Sequence, residues 1–143
     1  MKISIGSDHR GFALKEELQL YFSNINWIDV GTDSAGTRVD YPLFAKKVCD
    51  SVLQKHAYRG ILICGSGVGV SIAANRNKRI YAALCWNTEV ARAARNHDLA
   101  NILVLPADFV SVPDAIQIVK IWIDSEFLGG RYQERLDMID ALT

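Results

Sequence analysis

The chain has 143 residues, 50% of them hydrophobic and 22% charged, a balance that suits one globular domain. Sixteen basic residues cancel sixteen acidic ones, which leaves no electrostatic footprint for general nucleic-acid or membrane-surface binding. The longest strictly apolar run, Ile80 to Trp86, is too short to span a bilayer, the early polar turn after MKISI predicts no secretory signal, and three widely spaced cysteines make no disulfide framework, so the expectation is a reduced, cytoplasmic protein.

Strand-like and helix-like segments alternate along the whole length. Lys2–Gly6 reads as a strand, and Gly11–Ser23 as a helix with Leu14, Leu18 and Tyr21/Phe22 on one face. Asn26–Val30 is a second strand, stopped by Gly31, and a long loop, Thr32–Tyr41, leads to Pro42 in the first turn of a helix with Phe44, Val48 and Val52 inward. Gly60–Cys64 is continuous and apolar, as a strand covered on both faces should be, and runs through GSGVG into a helix ending near Asn75. Ile80–Cys85 reads as strand four, Thr88 to Asn96 as the next helix, and Asn101–Leu105 as strand five. Ser111 can cap a helix with Ile116, Val119 and Ile123 inward; Gly129–Gly130 ends it, and Arg131–Leu142 reads as a last amphipathic helix. Such alternation predicts an α/β fold, a doubly wound, five-stranded parallel sheet with helices on both faces.

Ligands of such sheets sit beyond the carboxyl ends of the strands. The residues there include Asp8 and His9, the run Cys64–Gly69, Cys85 and Asp108. Backbone N–H groups of the loop Gly65–Gly69 and the start of the next helix favour an anion, either a phosphate or a developing oxyanion. The loop lacks the Lys-Ser/Thr of a P-loop and is not GxGxxG, so a dinucleotide site is disfavoured. Cys64, at a strand end and next to a helix start, suits a nucleophile or base; Cys49, inside a helix, reads as a small core residue, and Cys85 stays open. His9 and His97 both read as lying on the ligand side, whereas His56 reads as solvent-facing. No HxxxH, HExxH or paired CxxC spacing predicts a metal site. Arg131 and Arg135, four apart, could grip one dianion, although spacing alone favours a solvated face paired with Glu134 and Asp137.

Four segments in order, IGSDHRGFALK, VDYP, GILICGSGVGVSIAANR and GGRYQER, resemble the ribose-5-phosphate isomerase B family, whose wider membership includes galactose- and allose-6-phosphate isomerases. The resemblance runs from Met1 to about Ala141. It implies a Rossmann-like three-layer α/β/α sandwich acting as a homodimer or dimer of dimers, with each site built from two subunits and the helix at about 131–142 at the interface. It further implies interconversion of ribose 5-phosphate and ribulose 5-phosphate without a cofactor. By the same resemblance Cys64 is the base, Ser66 the hydroxyl near the substrate O1, and His97 the ring-opening residue from the partner subunit. The amides of Gly65, Gly67, Val68 and Gly69 form the enediolate hole, Asp8, His9, Tyr41 and Asp98 line the substrate, and Arg131 and Arg135 grip the phosphate.

The chain departs from the family pattern at three places. Asp98 stands where asparagine is usual, Tyr132 where histidine is frequent, and Asp108 where an arginine commonly helps bind phosphate. A carboxylate facing a phosphate at about 4 Å would be repelled by roughly 4 kcal/mol at an effective dielectric near 20. Asp108 is therefore expected to point away or to pair with an arginine. The alternatives to a pentose-phosphate isomerase are the same chemistry on a six-carbon sugar phosphate and a non-catalytic sugar-phosphate-binding module.

Overall fold

The computed structural model describes residues 1–142. Five parallel strands alternate with helices in the order β1 (Lys2–Ser7), α1 (Phe12–Tyr21), β2 (Asn26–Asp29), α2 (Tyr41–Leu53), β3 (Arg59–Cys64), α3 (Val68–Asn75), β4 (Ala82–Leu84), α4 (Thr88–Asp98), β5 (Ile102–Pro106), α5 (Val112–Asp124) and α6 (Arg131–Asp140). The sheet order is β2-β1-β3-β5-β4. The chain leaves β1 in one direction and β3 in the other, so the loops after these neighbouring strands part and leave a crevice above their carboxyl ends.

The period-2 geometry of the strands divides the core into two faces. Ile3, Ile5, Ile61, Ile63, Leu103 and Leu105 point toward α1, α4 and α5, where Leu14, Leu18, Ala91, Ala94, Ile118 and Trp122 complete one buried cluster. Leu62, Cys64, Ile102 and Val104 point the other way, against Ala45, Val48, Cys49, Val70 and Ala74 of α2 and α3. This is the three-layer sandwich. Helix α2 lies so close that a Cβ on Gly60 would come within 2.5 Å of Val48, so only glycine fits there.

Several expected boundaries and faces shift for local reasons. Strand four shrinks from Ile80–Cys85 to Ala82–Leu84, because the Tyr81 N–H donates to the Asn101 side chain at 2.8 Å and the Ala82 N–H to Asn75 Oδ1 at 2.8 Å. Helix α1 ends at Tyr21, whose ring is exposed, and only Phe22 packs on the core. The inward stripe of α5 is Ala115, Ile118, Val119 and Trp122; the indole of Trp122 fills the core, and Ile116 and Ile123 flank it half-buried. Ser111 does cap that helix, accepting from the Asp114 N–H at 3.2 Å. Helix α4 continues two residues beyond Asn96, placing His97 and Asp98 in its last turn before Leu99 caps it in the left-handed region. Leu136 of α6 is buried in the chain's own fold at 1% exposure, which leaves Met138 and Ile139 of that helix, and Leu142 just beyond it, outward.

Candidate active site

The end of β3 organises the crevice. Cys64 is 5% exposed, and its sulfur accepts the Gly67 N–H at 3.2 Å. Gly67 takes a φ of 77°, and a Cβ on it would come within 2.5 Å of Leu84 Cδ1, so both conformation and space require glycine. That turn starts α3 abruptly. The first amides of a helix have no intrahelical acceptor, and here the N–H groups of Gly69 and Val70 find no backbone acceptor among the described residues. Ser66 is exposed at the tip of the loop, and its Oγ accepts the Val68 N–H at 3.2 Å. The arrangement is a sulfur, a hydroxyl and unpaired amides around one loop.

Two neighbouring loops close on it. After β1, Asp8 is buried and its Oδ1 accepts the N–H groups of Arg10 and Gly11 at 3.0 and 3.1 Å, which turns the chain into α1. Half of this carboxylate is thus occupied in shaping the loop. His9 is half-buried, and its Nδ1 accepts the Val39 N–H at 3.2 Å, which makes Nε2 the protonated nitrogen of the neutral ring. Tyr41, at the start of α2, lays its ring over Gly69, where any side chain would collide with it. Asp108, after β5, pairs with Arg10 as expected of a carboxylate in this place.

The other expected residues lie elsewhere in the chain. His97 is at the carboxyl end of α4, and that helix runs back from the crevice for about 16 Å at 1.5 Å per residue. Three residues beyond Asp98, the Asn101 carbonyl accepts the Gly60 N–H at the beginning of β3. Cys64 stands at the opposite end of that strand, paired with Pro106 where Gly60 is paired with Ile102. Within one chain His97 therefore lies at the amino edge of the sheet, not on the ligand side. Its ring stacks on Tyr132 with centroids 4.5 Å apart and planes at 15°. Arg131 and Arg135 gather on the same tyrosine, with guanidinium carbons 5.0 and 5.8 Å from its ring centre. Neither arginine pairs with Glu134 or Asp137; Asp137 instead accepts from the Gln133 side chain at 2.9 Å. Arg131 is fully exposed, and its hydrogen bond with the Tyr132 hydroxyl, 3.1 Å long, pushes its pKa further up. Asp98, next to His97, is exposed.

The remaining cysteines belong to the core. Burial pushes the Cys85 thiol up to about 12, and burial followed by the charge of Asp50 does the same to Cys49. Neither can supply a thiolate near neutral pH. Cys85 also faces the α1, α4 and α5 side of the sheet, opposite to Cys64. This answers the question that the sequence leaves open.

Two residues of this region escape sequence reasoning. Lys15 is buried, with its Nζ 2.6 Å from Asp29 Oδ2 and 2.9 Å from the Thr32 carbonyl, so it ties the loop after β2 to α1. Arg10 is the other. Its only signal is its place directly after Asp8 and His9.

Residues 3–139 match the family described as Ribose/Galactose Isomerase. The chain is 40% identical over 143 residues to ribose-5-phosphate isomerase B of Escherichia coli, covering 99% of this chain and 95% of that one. It superposes on a ribose 5-phosphate isomerase of Thermotoga maritima with a TM-score of 0.96 and 47% identity, covering 98% and 97% of the two chains. It also superposes on ribose-5-phosphate isomerase B of Mycoplasma genitalium, whose structure holds ribulose-5-phosphate, with a TM-score of 0.92, 41% identity and coverage of 99% and 95%.

Proposed function

Because the chain belongs to the Ribose/Galactose Isomerase family, we propose that it interconverts ribose 5-phosphate and ribulose 5-phosphate through an enediolate, with no cofactor. The observation that carries this reading is the Cys64 sulfur seated at the head of a loop whose helix-starting amides are unpaired. Isomerisation needs a base at C2 of the opened aldose and donors where negative charge grows on the C1 oxygen. Cys64 is the base that takes the C2 proton and returns it to C1. The loop amides not already given to the Cys64 sulfur and the Ser66 hydroxyl, as those of Gly67 and Val68 are, hold the enediolate oxygen, Ser66 passes the hydroxyl proton between O2 and O1, and Asp8, His9 and Tyr41 hold the sugar. Preorganised donors of this kind are worth roughly 2.7–4 kcal/mol each when removed.

The distribution of residues supports a homodimer, alone or paired into a tetramer. One chain carries Cys64 at one edge of the sheet and the group of His97, Asp98, Arg131 and Arg135 at the other. A symmetric pair of chains brings the second group of one subunit to the crevice of the other. His97 then serves ring opening, and the two arginines bind the phosphate dianion far from the reacting carbons, where binding energy is used for orientation. Exposed Val68 and Ile72 on α3, beside the glycine loop, suit burial in such an interface, as do Met138 and Ile139 on α6. Three free cysteines fit a cytoplasmic enzyme.

A substrate panel tests the reading. Purified enzyme with ribose 5-phosphate, allose 6-phosphate and galactose 6-phosphate, followed by ketose formation, should show the highest kcat/KM on the pentose. A hexose phosphate preferred by tenfold or more would replace the substrate, and no turnover on any of the three would return the chain to a binding role.

A further inference from the structure

The ion pair between Arg10 and Asp108 stands at the mouth of the glycine loop, and the isomerase chemistry described above makes no use of it. An exposed pair adds only about 0–1 kcal/mol to stability, so folding does not account for how firmly it is placed. Asp108 is held through the backbone: its own N–H donates to the Gly65 carbonyl at 3.0 Å, and that of Ala107 to the Cys64 carbonyl at 2.9 Å. Arg10 is held from the other side by Asp8, which binds its N–H. The two side chains meet directly over Gly65, where a Cβ would come within 2.8 Å of Asp108 Oδ2 and 2.9 Å of Arg10 Nε. Loops from β1 and β5 are thus both fastened to the end of β3, and together they lay a guanidinium across the loop that carries Cys64.

A guanidinium has five donors in a rigid fork. Asp108 accepts from Nη2, and no other donor of this side chain has a protein acceptor among the described residues, while the side chain is 59% exposed. A single contact from Nη2 to the carboxylate holds the fork in place over the loop and leaves its remaining donors for a second anion. On the isomerase reading, the anion that comes to this crevice is a sugar phosphate. We propose that Arg10 is a phosphate ligand supplied by the subunit that carries Cys64, and that Asp108 is the positioning residue that orients it. The phosphate then lies between Arg10 of one subunit and the Arg131–Arg135 pair of the other. This also explains how an acidic residue is tolerated beside a dianion: the charge of Asp108 is spent on the arginine. The inference rests on the isomerase reading for the identity of the substrate, but not for the anion chemistry.

Inorganic phosphate is the probe. Its Kd is measured by calorimetry on the intact wild-type protein and on R10A, and KM and kcat for ribose 5-phosphate are measured alongside. In R10A both the phosphate Kd and KM should rise by about tenfold or more, with a much smaller change in kcat, the signature of a lost binding contact. D108N should raise KM less than R10A does. The exchange R10D/D108R should recover most of the phosphate affinity that R10D alone loses, which a purely structural role for either residue would not do. Phosphate Kd and KM in R10A within twofold of wild type would overturn the proposal, as would a fall in kcat at unchanged KM. Should the wild-type protein fail to turn over ribose 5-phosphate, the isomerase reading falls, and the phosphate Kd values still decide whether Arg10 binds the anion.

Discussion

Cys64→Ala is expected to lower kcat by about 10²–10⁴-fold or more, the range that general-base groups contribute, while leaving binding of ribose 5-phosphate close to that of the wild type. The expectation rests on position. The Cys64 sulfur receives the Gly67 N–H within the crevice, whereas the other two thiols are pushed up to about 12 and sit inside the core. Alanine keeps the small volume at the strand end, so the loop should keep its shape. Cys49→Ala and Cys85→Ala serve as controls for general damage, since each removes a buried sulfur without touching the loop. Steady-state kinetics on the three variants, with circular dichroism to verify folding, read the difference. Activity retained in Cys64→Ala and lost in Cys85→Ala would move the chemistry to another strand.

A mixture of two inactive variants is expected to recover activity. Cys64→Ala disables the crevice of its own chain but leaves His97 intact, and His97→Asn does the reverse. If each site takes Cys64 from one chain and His97 from the other, a mixed dimer contains one complete site and one doubly disabled site. Random reassociation makes half of the dimers mixed, so roughly a quarter of wild-type activity should return. The expectation follows from the separation of the two residues along β3 and α4 of one chain, which the proposed shared site requires a second chain to bridge. The variants are co-refolded from denaturant and assayed against each variant refolded alone. Activity no greater than the sum of the two alone would mean that His97 does not complete the site of a neighbour.

Much of the fold was legible because its signals are local. Buried parallel strands are short apolar runs, and Gly60–Cys64 and Ile102–Pro106 are such runs. The glycine loop was legible for the same reason: Gly67 requires a backbone conformation that few other residues adopt. What escaped depends on contacts between distant residues. Strand β4 is trimmed by the side chains of Asn75 and Asn101, which no periodicity reports. The side of the sheet on which His97 falls is set by topology and not by a local pattern: α4 joins two parallel strands and so runs back along them, which puts its last turn, with His97 and Asp98, at their amino ends. The partner of Asp108 is 98 residues away, and charge alone announced that a partner was needed without saying which. The family resemblance supplied the proposed roles of Arg131 and Arg135; their spacing by itself pointed to a solvated face paired with Glu134 and Asp137, and both arginines are exposed but neither forms such a pair.

The central claim, proton transfer at C2 and C1 of ribose 5-phosphate by Cys64, is tested most directly by NMR in D2O. Wild-type protein incubated with ribose 5-phosphate should produce ribulose 5-phosphate carrying deuterium at C1 and return ribose 5-phosphate labelled at C2, and Cys64→Ala should do neither at a comparable rate. Absence of ribulose 5-phosphate with the wild-type protein, or label entering as fast with Cys64→Ala, would contradict it.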